Sequence, residues 1–505
     1  MAVATGATPL SRLGAQRVTA LAAGIGRVAR NYVLLSGAEI LAKLITFAAF
    51  TYMGRVLGPE RIGNLEFTLA VMVFFTLVVD FGLGVCGARE IARDPSRTSL
   101  YYCDLVGIRM LLAAASFAVL LVVVALMRKS AEVKLLLTLY GVSLFAFPAL
   151  LVWLFQGCDR MRWVAACSLI RQGVFAGLVF LFLRPTTPLA YIGVFELGSA
   201  FAVATACLYL ARTRLGLGWP RPAFAWGRWR EHLREGAPIC LSELTWACGL
   251  YFATVLLAFV APDKFVGWFG TSHRALMALH TFVWLYLFNL LPSISRCAAL
   301  PERHLQDLLR RSLALSAWGG ILVALILTAL SSELLTLAYG EQFSGSGPVF
   351  GVLVWTLPAA LLSGHYRYTL IAYGQQRWLL CATTLSAAVS VLLGFVLIPR
   401  FAALGAAATL LASILVNFVL VYRYTRRVVA EIALWRHLER PVAALVAAAV
   451  VLGGLRPWNA WMAAGAAGIV YLLLLALWER EELPTLFGLL PKSAPEMRRE
   501  AVGAR

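Results

Sequence analysis

Eight ionisable side chains fall inside stretches of sequence that are otherwise apolar: Glu39, Lys43, Asp80, Arg109, Arg171, Glu196, Glu243 and Arg367. In hydrocarbon each costs roughly 2.5–3.5 kcal/mol on insertion scales, so such groups face a wet interior or pair with one another. An arginine held this way offers a planar fork of donors that matches phosphate oxygens. An acid held this way can gain and lose a proton as its surroundings change between wet and dry. Glu39 and Lys43 stand four apart with Glu first, the order in which a helix lets the two neutralise each other. Asp80 can pair with Arg109 or Arg89. Arg109 lies near a segment end and can also snorkel to the boundary. Arg171 and Arg367 have no acid three or four positions away, so they are the candidates for a cavity-facing, anion-binding role.

The elements that must position these residues follow from hydropathy. A spanning helix needs about 20 mostly apolar residues, and fourteen such runs are predicted, near 32–54, 67–88, 105–127, 135–156, 163–183, 189–211, 237–260, 275–295, 312–337, 348–373, 378–398, 402–422, 441–455 and 461–478. The thirteenth is short and interrupted by Gly453 and Gly454. Glu39, Asp80, Arg171, Glu243 and Arg367 lie about 12 Å from one common boundary at 1.5 Å per residue. Arg109 is shallower and Lys43 deeper, and Glu196 alone is predicted toward the opposite side. The other seven mark one charged layer.

Composition supports an all-α polytopic membrane protein. Of 505 residues, 61% are hydrophobic and 14% charged, against about 45–50% and 25% in soluble domains. The net charge of +19 is explained by where the cations sit. With the N-terminus placed in the cytoplasm, Lys and Arg on that side outnumber those on the other by about three to one, as cation-rich loops that resist translocation require. Nucleic acid is therefore not an expected partner. The reading gives a basic N-terminal segment 1–31, an N-lobe 32–211 of six helices, a basic linker 212–236, a C-lobe 237–424 of six helices, two further helices within 425–480 and a tail 481–505. Both termini are expected in the cytoplasm. Arg17 and Arg27 interrupt the first apolar run, so a surface-lying amphipathic helix is expected there rather than a cleaved signal. The longest external loop is expected from Ala261 to Arg274.

An offset of 204 residues relates the two halves. It brings Glu39 onto Glu243 and Gly63 onto Gly267, while Pro59 falls one residue from Pro262. Six helices separate the repeats, so the lobes are expected to share one orientation in a pseudo-twofold arrangement, with a substrate site at their interface.

Other chemistries lack their residues. The nine cysteines form no CxxC pair, and Cys167, Cys207, Cys248 and Cys381 read as packing residues. The six histidines are dispersed, and no metal or cofactor is assigned. No GxxxxGK[ST], GxSxG or HExxH occurs. An enzyme is not expected, and neither is an ion channel, since no filter-like repeat or single-sign ring appears.

The stretch "GRVLGPERIG", the triplet Asp80-Phe81-Gly82 and "REIARD" resemble the start of the bacterial polysaccharide biosynthesis transporters, the Wzx-type lipid-linked oligosaccharide flippases of the multidrug/oligosaccharidyl-lipid/polysaccharide exporter superfamily. "WLFQGCDRMRWVA" at 153–165 and "VGWFGTSHRALMAL…LLPSIS" at 266–295 continue the likeness in order. Cys158-Asp159 departs from it, standing where the family often has a hydrophobic residue and Glu. The resemblance implies two six-helix lobes plus two C-terminal helices. It also implies alternating access that moves a polyprenyl-pyrophosphate oligosaccharide from the inner to the outer leaflet for surface polysaccharide assembly. Under it, Arg171, Arg367, Arg109 and Lys43 are candidates for the pyrophosphate, and Gln156, Asn289 and Tyr366 for the sugars. Asp80 (favoured), Glu39 and Glu243 are candidates for a coupling proton or sodium ion. Expected partners are that substrate, membrane lipid and, as candidates, a polysaccharide polymerase or chain-length regulator, around a monomeric transport unit. A small-molecule or multidrug antiporter of the same superfamily and a membrane polymerase acting on lipid-linked glycans are the alternative readings.

Overall fold

The structure, a computed structural model, describes residues 9–221, 224–298, 301–429 and 434–480, with side chains from residue 37 onward. The expected tail 481–505 lies outside the described residues. Among those described, the chain is helical with no strand. Helices satisfy every backbone donor and acceptor within one segment, which a lipid environment demands.

Twelve helical stretches are long and apolar enough to cross a membrane. Two of them, Gly37–Arg93 and Gln376–Val428, are about twice the length of a crossing and are broken inside. In α1 (Pro9–Asp80) the break is Gly58, at φ 78° and ψ 172°. Pro59 then opens the next segment, where its missing N–H costs nothing. The second break is at Ala402, φ 47°, three residues after Pro399. Among the described residues the count of twelve thus comes close to the fourteen expected.

The turn between the first two segments is tighter than the sequence reading allows. The helix resumes at Pro59 rather than near residue 67. Likewise the expected external loop from Ala261 to Arg274 is absent, because α9 begins at Asp263. Charged residues at these helix starts read as loop by hydropathy, although the backbone is already helical.

The chain divides into two compact units, Met1–Tyr52 with Met72–Leu241, and Met53–Val71 with Ser242–Arg505. The first unit contains the parts of α1 on either side of its turn, α2 (Leu83–Arg93), α3 (Thr98–Leu126), α4 (Ala131–Val142), α5 (Val152–Gly157), α6 (Met161–Phe182), α7 (Ala190–Arg214) and the beginning of α8 (Trp226–Val260). Its core gathers Tyr102, Leu105, Trp153, Leu154, Phe155 and Cys207, and includes Trp229 from the segment expected as a linker.

The second unit holds the rest of α8, α9 (Asp263–Cys297), α10 (Glu302–Ala329), α11 (Ser331–Tyr339), α12 (Ser346–Leu353), α13 (Thr356–Ala372), α14 (Gln376–Val428), α15 (Trp435–Leu455) and α16 (Ala460–Trp478). The last two helices are integral to it. Trp318 on α10 packs with Ala444, Ala448 and Tyr471, and the Tyr471 hydroxyl donates to the Trp318 carbonyl at 3.2 Å. Their outer faces leave Val450, Met462, Ile469 and Leu477 exposed, as lipid-facing surfaces do.

Candidate functional site

A cavity of about 800 Å³ opens within the second unit, among α8, α9, α13 and α14. That lies within the ~300–1,000 Å³ range of small-molecule sites. Arg367 reaches it because successive helical residues point about 100° apart. Its neighbour Tyr366 turns into the core beside Leu362, Leu370, Phe418 and Val421, while Ser363, Gly364 and Arg367 share the cavity face. Arg367 is exposed and, among the described residues, forms no ion pair. Glu243 on α8 also lines the cavity, exposed and without an ion pair among those residues. Arg377, just past the turn at Gly374 (φ 69°), supplies a second cation, its guanidinium 5.3 Å from the Trp378 ring.

The remaining lining mixes aliphatic side chains such as Leu250, Leu287 and Leu410 with hydroxyl, amide and aromatic groups. Ser413 donates to the Ser386 carbonyl at 2.9 Å, and the Asn417 amide donates to the Ser386 hydroxyl at 3.3 Å. His280 bonds Thr356 through Nε2 at 3.2 Å, and Trp246 and Trp284 border the same space. Two arginines against one glutamate leave the lining with a net positive charge.

The other expected site residues lie elsewhere. Arg109 is buried, ion-paired with Asp80, and stacked 5.6–5.7 Å from the rings of Trp153 and Phe147. Arg171 pairs with Glu196 of α7 at 2.6 Å. The pair spans 25 positions in sequence, so no search for an acid on Arg171's own helix could find it. It also places Glu196 at the depth of Arg171, correcting the expectation that Glu196 lies apart from the layer. Lys43 and Glu39 approach to 3.7 Å on an exposed face, and Ser168 donates to Glu39 at 3.4 Å. Tyr366 is fully buried, which removes it from the sugar candidates. Gln156 is exposed near the end of α5. Asn289 donates to the Leu285 carbonyl at 2.8 Å and does not line the cavity.

Two further charged clusters escaped the sequence reading because they sit just outside the apolar windows that hydropathy picks out. In the second unit Glu66 accepts from Arg274 at 2.7 and 2.9 Å. In the first, the buried Asp104 accepts from Arg228 at 2.9 and 3.1 Å and from the Trp229 indole at 3.4 Å. The linker is thus clamped to α3.

A family model described as polysaccharide biosynthesis protein matches residues 28–298, more than half of the chain. The chain belongs to this family. A second model, lipid II flippase MurJ, matches residues 169–473, so the likeness to membrane flippases runs through both units of this family member. Its relatives include a protein described as an O-antigen transporter of Escherichia coli (strain K12), 24% identical over 402 residues, covering 76% of this chain and 93% of that protein. The Shigella dysenteriae protein of the same description is 24% identical over 391 residues, covering 76% and 96%. Among solved structures, lipid II flippase MurJ in an inward closed conformation shares the fold, with TM-score 0.71, 13% identity and coverage of 89% and 99%. An inward-facing multidrug resistance MATE family transporter gives TM-score 0.61 at 14% identity, covering 76% and 94%.

Proposed function

We propose that this polysaccharide biosynthesis protein is a flippase that carries a lipid-linked oligosaccharide across the cytoplasmic membrane by alternating access. The observation that carries the reading is Arg367, which forms no ion pair among the described residues and shares its cavity with Arg377, Glu243 and several hydroxyl, amide and indole groups. Family membership and the O-antigen transporter relatives support it. Arg367 and Arg377 hold the pyrophosphate, whose charge cannot enter lipid alone. The glycan occupies the cavity and the polyprenyl chain stays in the bilayer. Both termini face the cytoplasm, as the excess of cations on that side requires. No bond in the substrate changes, so the protein is a transporter rather than an enzyme, acting before a polysaccharide polymerase.

For energy coupling we favour Glu243 over Asp80. Asp80 is committed to Arg109 and Glu39 to Lys43, whereas Glu243 shares the cavity with Arg367.

In proteoliposomes carrying a fluorescent polyprenyl-pyrophosphate oligosaccharide, Arg367→Ala should slow transbilayer movement at least tenfold while the purified yield stays normal. Unchanged movement, or yield falling in step, would remove Arg367 from the site.

A further inference from the structure

Trp246 on α8 and Trp284 on α9 carry exposed indoles, 38% and 47% open, and both border the cavity that holds Arg367. Tryptophan in a membrane protein ordinarily marks the lipid–water boundary. A boundary tryptophan faces lipid, whereas these two share a cavity with Glu243, Arg377, Gln376 and Asn417. The cavity has a second unusual feature for an apolar helix bundle. Its lining repeats small hydroxyl residues on α8, α13 and α14, Ser242, Ser363, Thr383 and Ser413 among them. These are the two halves of carbohydrate chemistry. One face of a pyranose presents a patch of C–H groups with a slight positive charge, which lies against the electron-rich face of an indole. Its edge presents hydroxyls that must find amide or hydroxyl partners once water is displaced.

We propose that Trp246 and Trp284 are the stacking platforms of a pyranose subsite in the second unit, with Gln376 and Asn417 reading the hydroxyl edge. This rests on the flippase reading and adds the class of group the cavity takes, a neutral sugar ring next to the diphosphate that Arg367 and Arg377 hold. The indoles then set which glycans are accepted, and the arginines only require the diphosphate.

The test uses two probes that differ by one ring, farnesyl pyrophosphate and farnesyl-pyrophosphoryl-N-acetylglucosamine. Binding to the full-length protein is measured in nanodiscs free of sugar detergents. The parent should bind the glycosylated probe more tightly. Trp246→Ala and Trp284→Ala should each weaken that probe by about three- to tenfold, the range of an aromatic contact, and leave farnesyl pyrophosphate unchanged. Trp246→Phe and Trp284→Phe should restore most of the difference. Arg367→Ala should weaken both probes alike. Equal weakening of both probes by the tryptophan variants, or no sugar-dependent gain in the parent, overturns the platform while leaving the flippase reading intact. A parent that binds neither probe overturns both.

Discussion

Gly63 and Gly267 meet, and each meets the helix start of the other. A Cβ on Gly63 would lie 2.0 Å from the Asp263 carbonyl oxygen, and one on Gly267 would lie 2.0 Å from the Pro59 carbonyl oxygen. The 204-residue offset that relates Gly63 to Gly267 also relates Pro59 to Asp263. These are also the residues at which the two helices begin. The contact is therefore reciprocal, as a local twofold between two like turns requires.

Gly63→Ala and Gly267→Ala should lower the thermal midpoint of the purified protein by several degrees, since a methyl group cannot fit against a rigid carbonyl and overpacking costs about 1–3 kcal/mol. Gly453→Ala, at a position with open space around it, should be neutral or slightly stabilising. Equal effects at all three positions would mean that the close approach does not hold the turns.

Next to this contact, Glu66 and Arg274 form a largely buried pair in the second unit. Arg274→Ala leaves a carboxylate among apolar neighbours and should cost about 3 kcal/mol, as broken buried pairs do. The double exchange Glu66→Arg with Arg274→Glu should recover part of that loss in the same melting assay. No recovery would show that the surrounding groups, rather than the pair, fix the geometry.

The clamp on Asp104 makes a different prediction. Its carboxylate is buried and accepts from Arg228 and Trp229. Asp104→Asn removes the charge while keeping the shape, so the start of α8 should detach more often. Trypsin cleavage around Arg221 and Arg228 should accelerate several-fold in the variant. Unchanged cleavage would mean that the hydrophobic seat of Trp229 suffices.

Legibility followed the reach of each interaction. Glu39 and Lys43 were readable because their partnership is one helical turn long. Arg367 has no acid one turn away on α13 and forms no ion pair among the described residues. Arg171 failed the same reasoning because its acid, Glu196, comes from the next helix, and sequence spacing carries no information about that. Tyr366 shows the limit of residue type alone, because a helix rotates adjacent side chains to different surroundings and sends it into the core beside a cavity-facing Arg367. Glu66, Arg274 and Asp104 were missed for one shared reason. Hydropathy windows end at charged residues, so a charge in the early turns of a spanning helix reads as loop. The all-helical, membrane-spanning architecture was legible because length and apolarity are set by the bilayer itself.

Arg171 and Arg367 should separate in the cell. Arg171→Ala strands Glu196 and should reduce protein abundance together with export. Arg367→Ala strands no partner and should reduce export with abundance near the parent's. Immunoblots beside surface polysaccharide measurements check both, and identical behaviour of the two variants would remove the distinction between structural and substrate-facing cations.

The most direct measurement of the account is transbilayer movement of a defined lipid-linked oligosaccharide in proteoliposomes containing only this protein, followed by enzymatic access to the glycan from outside. The parent protein should expose the glycan far faster than empty vesicles do, Arg367→Ala with Arg377→Ala should fall to the empty-vesicle rate, and Glu243→Gln should lose any dependence on an imposed proton gradient. Movement in the parent no faster than in empty vesicles, or full movement in the double arginine variant, would contradict the account.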